Sequence, residues 1–261
     1  MASYLKFPKV SNWAWKVWMR DWKVFMKTYK VNFILPFLEP ILYLLALGFG
    51  LGGFVGPIDG IPYAVFLAPG LISISIMNSA FFECTYGSYV RMYYQKTFDA
   101  IIATPLNLDE VIAGEIFWGA TRSLINASFM LIVVIAFGLV SLPMALIIIP
   151  FSFIAGLLFS ALAMCFTAIS PNINALNYPI FLLITPMFLF SGTFFPISAL
   201  PQPIQYASFA TLPLVHVVEI SRALTLSRWS GFLPLNLIWI IIVSFLLFVI
   251  SINLMKRRLI A

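Results

Sequence analysis

The chain alternates between long apolar runs and short polar breaks. Six runs approach or exceed the ~20 residues that a helix needs to cross a bilayer, at roughly 33–54, 63–88, 110–139, 143–169, 174–196 and 232–254. Turn-forming or charged residues separate them: GPIDGIP at 56–62, the charged stretch MYYQKTFDAIIATPLNLDEVIAGEI at 92–116, SLP at 141–143, SPNIN at 170–174, and a longer segment at 197–231. The pattern predicts an all-α integral membrane protein with six transmembrane helices in one transmembrane domain, residues 1–261.

Three segments do not read as spans. At ~100° per residue, the helix expected over 13–29 puts Trp15, Trp18, Trp22, Phe25 and Tyr29 on one face. Lys16, Arg20, Lys23 and Lys27 fall well away from that face. An aromatic stripe opposed to a basic one describes a helix lying in the membrane interface, with Trp15, Trp18 and Trp22 as its anchor. Residues 197–231 are too polar for a full span and too apolar for a disordered loop, and Pro201, Pro203 and Pro213 break them. Two short re-entrant helices fit there. The third segment is a short helix over 97–104. Thr97 can cap it, Phe98, Ile101 and Ile102 fall at i, i+3 and i+4, and Pro105 stops it at Thr104. Asn107 and Glu110 then match a capping box, with Asp109 and Glu110 in the positive first turn of the next helix.

Composition narrows the class. Hydrophobic residues make up 62% of the 261 and charged residues 9%, against about 45–50% and ~25% in soluble domains; the mean hydropathy is +1.03. The net charge of +6 does not form a nucleic-acid patch, because seven of the fifteen basic residues precede residue 31 and Lys256, Arg257 and Arg258 close the chain. With both termini cytoplasmic, nearly all Lys and Arg outside the spans fall on the inner side, and Arg222 and Arg228 on the outer. The segment 97–104 is then cytoplasmic. Cys84 and Cys165 both sit in apolar runs and imply no disulfide framework. The N-terminus lacks the basic start followed at once by an apolar core that marks a cleavable signal.

GFGLGG at 48–53 matches G-x-G-x-x-G, but it closes a span rather than following a strand and opening a helix, so the dinucleotide reading fails. The spacings Gly48/Gly52 and Gly52/Gly56 suit close helix packing instead. No G-x-x-x-x-G-K-[ST] is present to cradle ATP. His216, the single histidine, has Glu219 and Arg222 at helical spacing, too few ligands for zinc, and the three are expected to form an outer hydrogen-bonded cluster. Ionisable groups at membrane depth are costly and mark candidate sites. Here they are Glu83 in the second span and Glu115 with Arg122, seven apart on one face of the third.

The stretches EPILYLLALGFGLG (39–52), YAVFLAPGL (63–71), FECTYGSYVRM (82–92), KTFDAIIATPLNLDEVIAGEI (96–116), ITPMFLFSGTFFPISALP (184–201) and PLVHVVEISRALTL (213–226) resemble, in order and spacing, permease subunits of type 2 ABC exporters. The resemblance covers nearly the whole chain and is strongest to the branch with the nodulation lipo-oligosaccharide exporters. It implies a homodimer of this chain with two copies of a separate ATPase, which binds the ATP and Mg; this chain itself would carry no cofactor. It implies that Thr97–Thr104 is a coupling helix docking on that ATPase, through Phe98, Asp99, Ile101 and Ile102 and bounded by Pro105. It further implies a path at the dimer interface lined largely by the first, second and fifth spans, and an inner-membrane location. The cargo expected is a lipid-linked or amphipathic molecule such as a glycolipid, lipo-oligosaccharide, polysaccharide or drug. A stand-alone channel or ion-coupled transporter would need paired broken helices at mid-membrane, and only Glu83 hints at one. An intramembrane enzyme would need a clustered catalytic set. The reading is therefore a transport subunit and not an enzyme.

Overall fold

A computed structural model describes the backbone of residues 7–227 and 231–260, and their side chains except those of 29–37, 39, 40 and 260. Arg228 and the side chain of Tyr29 lie outside the described residues. The described chain is built of helices and short loops, with no strand among the described residues. Helix α1 is Ala14–Tyr43, continued by the π-helical Leu44–Leu51 and by Gly52–Val55. The remaining helices are α2 (Tyr63–Tyr94), the short α3 (Thr97–Ile102), α4 (Leu108–Ala136), α5 (Met144–Ile169), α6 (Ile173–Phe190), α7 (Gln202–Thr211), α8 (Pro213–Leu226) and α9 (Leu233–Ile260).

Five of these, α2, α4, α5, α6 and α9, are long and apolar enough to cross a membrane, and Ile41–Val55 forms a shorter apolar helix at the end of α1. The sequence reading separates an interface helix at 13–29 from a first span at 33–54. The structure joins them in one helix. Helices α7 and α8 meet at 94°. Leu212 there is extended, and Pro213, which has no N–H to offer, opens the next helix.

The apolar window of α2 is 78% buried, against 22% for α6. Helix α2 is thus the axis around which α4, α5 and α8 pack, while α6 turns Tyr178, Phe181 and Leu182 outward. Small residues set the closest approaches. A Cβ on Gly156 would lie 2.9 Å from Ala120 Cα, one on Gly119 2.5 Å from Cys84 Sγ, and one on Gly114 2.6 Å from Val17 Cβ. Small residues at such crossings let backbones approach within dispersion range. The expected glycine packing is weaker: Gly48 lies against Ala64 at ordinary distance, and a Cβ at Gly56 would meet open space.

Candidate functional site

The C-terminal end of α2 carries the densest polar chemistry in the described chain. Two π-helical turns, Glu83–Gly87 and Val90–Tyr94, interrupt the α-helix there. In a regular helix Glu83 and Arg91, eight apart, would diverge by ~80°. The wider turns bring them together, with Arg91 Nη1 2.8 Å from Glu83 Oε1. Gly87 lies between them on the helix, where a Cβ would stand 3.0 Å from Glu83 Oε1.

Helix α4 supplies the next layer. Glu115 is fully buried and accepts from Arg91 Nη2 at 2.6 Å, Arg91 Nε at 2.9 Å, Ser88 Oγ at 2.7 Å and Arg20 Nη2 at 3.1 Å. Four such donors offset much of the cost of a buried carboxylate. Arg20 also pairs with buried Asp21 at 2.5 Å. Glu83 accepts from Trp118 Nε1 at 2.9 Å and lies 3.4 Å from Arg122 Nε. Three carboxylates and three guanidiniums from α1, α2 and α4 therefore form one network. Glu83, Glu115 and Arg122 all belong to it, although Glu115 and Arg122 share a helix face without pairing. Arg20, Asp21 and Arg91 complete it. Arg20 reads from the sequence as part of a solvated basic stripe, and Arg91 as a loop cation. Only the low charge content of the chain could have pointed to them.

The face of α1 that packs on α4 consists of Ala14, Val17, Asp21 and Phe25. Trp18 Nε1 donates to Thr121 Oγ1 at 2.8 Å, and Trp22 meets Trp118 edge-on. Trp15, stacked on Trp18 at 4.1 Å, remains 56% exposed. Trp18 and Trp22 thus contact protein as well as the surroundings. A cavity of about 570 Å³ opens beside the network, with Arg20, Asp21, Glu83, Arg91 and Gln95 on its wall.

Helix α3 follows at once. Thr97 is its first residue rather than its cap; Lys96 holds the cap position in a left-handed conformation. The helix ends at Ile102, two residues before the expected Thr104, whose N–H instead closes a turn on the Ile101 carbonyl at 3.0 Å. Phe98, read from the sequence as part of an outward apolar triplet, is fully buried in the chain's own core, and Ile101 is half-buried against it. Asp99, Ile102, Ala103 and Pro105 face outward, and Lys96 Nζ lies 3.8 Å from Asp99. A six-residue helix has one buried face, and the larger aromatic ring occupies it.

The capping box at Asn107 forms, with its N–H donating to Glu110 Oε2 at 2.8 Å. The carboxylates beside it do more than complement the helix dipole. Asp109 accepts the Lys9 N–H at 2.8 Å and lies 2.5 Å from Lys256 Nζ, and Ser11 Oγ donates to Glu110. Arg258 donates to Tyr93 Oη and to the Thr167 and Ser170 carbonyls. Residues near both ends of the described chain are thus tied to the bases of α2, α4 and α5.

At the other end of α2, the expected trio separates. Arg222 Nη1 is 3.3 Å from Glu219, its Nη2 donates to the Gly192 carbonyl at 2.7 Å, and its guanidinium stacks on Phe66 at 4.2 Å. His216 faces away. Its ring stacks on Trp239 at 4.1 Å, with Nδ1 2.9 Å from Asn236 and Nε2 2.9 Å from the Phe209 carbonyl. Seven residues on one helix span several faces, so spacing alone could not keep the three together.

Five helices long and apolar enough to cross a membrane, with a short helix beyond them and a charged network behind it, define a polytopic membrane protein. The ABC-2 type transporter family matches the chain over residues 14–226, and the chain belongs to that family. It is 35% identical over 250 residues to Nodulation protein J of Sinorhizobium fredii, covering 95% of each chain. It is 34% identical over 248 residues to Nodulation protein J of Bradyrhizobium diazoefficiens, covering 95% of this chain and 94% of the relative. The Inner membrane transport permease YadH of Escherichia coli is 26% identical over 108 residues, 41% of this chain and 42% of its own.

Proposed function

We propose that this chain is the membrane half of an exporter that moves a lipid-linked or amphipathic molecule, such as a glycolipid or lipo-oligosaccharide, out across the inner membrane. A separate ATPase, two copies on a homodimer of this chain, binds the ATP and Mg and docks on α3. The observation that carries the reading is the two-sidedness of α3: Phe98 fully buried on one face, and Ile102, 40% exposed, beside exposed Asp99 on the other. Phe98 is a rivet, its burial contributing about 1.5–3 kcal/mol. Ile102, Ala103 and Pro105 form the contact for an apolar groove, with Asp99 set for a basic group at its rim, a charge that sets orientation more than affinity. A push on α3 reaches α2 through Tyr94–Lys96 and α4 through Pro105, and the Glu115–Arg91 pair makes those helices move as one.

The basic residues clustered near both ends of the sequence support cytoplasmic termini and a cytoplasmic α3. The thin burial of α6 supports its covering by a second copy. The charged cavity beside Arg91 is large enough for the polar part of an amphiphile entering from the inner leaflet. The test is purification of the tagged chain from native membranes, with co-purifying ATPase counted and ATP-dependent uptake of a lipid-linked saccharide measured in inverted vesicles. Asp99→Lys is expected to insert normally while losing most of the ATPase and of the uptake. Retention of both at wild-type levels would overturn the docking role of α3.

A further inference from the structure

The polar site at the α8 end of α2 is built differently from the charged network. A cavity of about 390 Å³ lies inside the bend between α7 and α8, within the range of small-molecule sites. Arg222, Glu219 and Asp59 contribute to its wall, with Gln205 beside them and Phe209 and Ile61 on the apolar side. Arg222 is held in place by the Phe66 ring below it and the Gly192 carbonyl, yet its charge is poorly matched. Its contact to Glu219, at 3.3 Å, is longer than the 2.7–2.9 Å of a good charge-assisted bond, and its buried Nε has no hydrogen-bond partner. Asp59 is exposed at the tip of the α1–α2 loop and lines the same cavity.

One guanidinium and two carboxylates thus share a half-apolar cavity at the edge of a membrane protein. A free anion is opposed by the two carboxylates, and a free cation, though drawn by their net charge, would compete with Arg222 for Glu219 and leave the guanidinium without an anionic partner. A molecule carrying both signs satisfies all three. We propose that this cavity binds a zwitterionic phospholipid headgroup with a primary ammonium. Its phosphate oxygens meet Arg222, its ammonium donates to Glu219 and Asp59, and its acyl chains lie along Phe209 and Ile61. A primary ammonium has three N–H donors for the carboxylate oxygens, which a trimethylammonium lacks. The site does not depend on the export reading, since its ligand is a component of the bilayer. It would tie the bent α7–α8 pair to the lipid beside it.

The test uses the intact chain in detergent, with phosphatidylethanolamine, phosphatidylcholine or phosphatidylglycerol added in turn. Thermal unfolding and native mass spectrometry of retained lipid are the readouts. Phosphatidylethanolamine is expected to raise the unfolding midpoint by roughly 2–4 °C more than either of the others and to be retained preferentially. Asp59→Asn with Glu219→Gln is expected to abolish its advantage over phosphatidylcholine, and Arg222→Gln to weaken retention of both. Equal shifts for the three lipids, or an undiminished preference in the double variant, would overturn the proposal. If Arg222→Gln does not fold, Asp59→Asn on the exposed loop still decides it, by halving or sparing the preference.

Discussion

The two ends of α2 hold the same kinds of side chain in opposite states. At the α3 end, Glu115 is sealed from solvent and receives donors from Arg91, Arg20 and Ser88 on two other helices. At the α8 end, Arg222 makes one long ion pair to a residue of its own helix, donates to the Gly192 carbonyl and borders a cavity. A buried charge bound on several sides by different helices is a mechanical joint, because no helix can shift without stranding it. A charge with a single long carboxylate contact, set beside a cavity, retains capacity for a ligand. Ionisable residues in a membrane chain thus divide by how much of their bonding is already committed within the fold.

The largest test of that contrast is Glu115→Ala. It strands Arg91 and Arg20, and breaking a buried pair in this way costs about 3–5 kcal/mol, to be read as a collapse of the folded fraction in detergent; an unchanged unfolding midpoint would remove the joint from the account. Phe98→Ala comes next, opening a cavity under α3 at a cost of about 3 kcal/mol, whereas Ile102→Asp on the opposite face should leave thermal stability unchanged. A smaller effect is expected from Gly87→Val. The added side chain crowds the Glu83–Arg91 contact and costs about 1–3 kcal/mol of stability, an amount that chemical denaturation can resolve.

A further test is a pH dependence at Asp21, ahead of the spans. Burial, with the charge of Glu115 adding to it, pushes its carboxyl from 3.8 up to about 7. The folded value exceeds the unfolded one, so this group's contribution to stability is complete below about pH 3.8 and is lost as pH rises through about 7. Thermal unfolding from pH 4 to 8 is expected to show that decline in the wild type, and a flatter curve in Asp21→Asn.

Much of the fold was legible in the sequence, because apolar run length and proline placement are local signals. The spans from α2 onward, the bent α7–α8 pair and the Asn107–Glu110 capping box can be read that way. What escaped depended on contacts far apart in sequence or on departures from 3.6-residue periodicity. Arg91 joins Glu83 only because π-helical turns rewind α2. Arg20 reaches Glu115 because α1 packs on α4 by its Ala14–Val17–Asp21–Phe25 face, which a count of aromatic and basic stripes did not favour. Phe98 turned inward because an amphipathic triplet does not say which of its two neighbours, core or partner, is nearer. The close-packing glycines include Gly114, Gly119 and Gly156, which lack the spacing that drew attention to Gly48 and Gly52.

In the proposed exporter, α3 presents its Ile102 face to a driving ATPase and its Phe98 face to the spans. Single cysteines at Ile102 and at Phe98, exposed to a short bifunctional thiol reagent in native membranes, test this most directly. Ile102→Cys is expected to cross-link to an ATPase-sized partner with a yield that changes when ATP is added, and Phe98→Cys to give no such product. Cross-linking from Phe98→Cys with none from Ile102→Cys would contradict it.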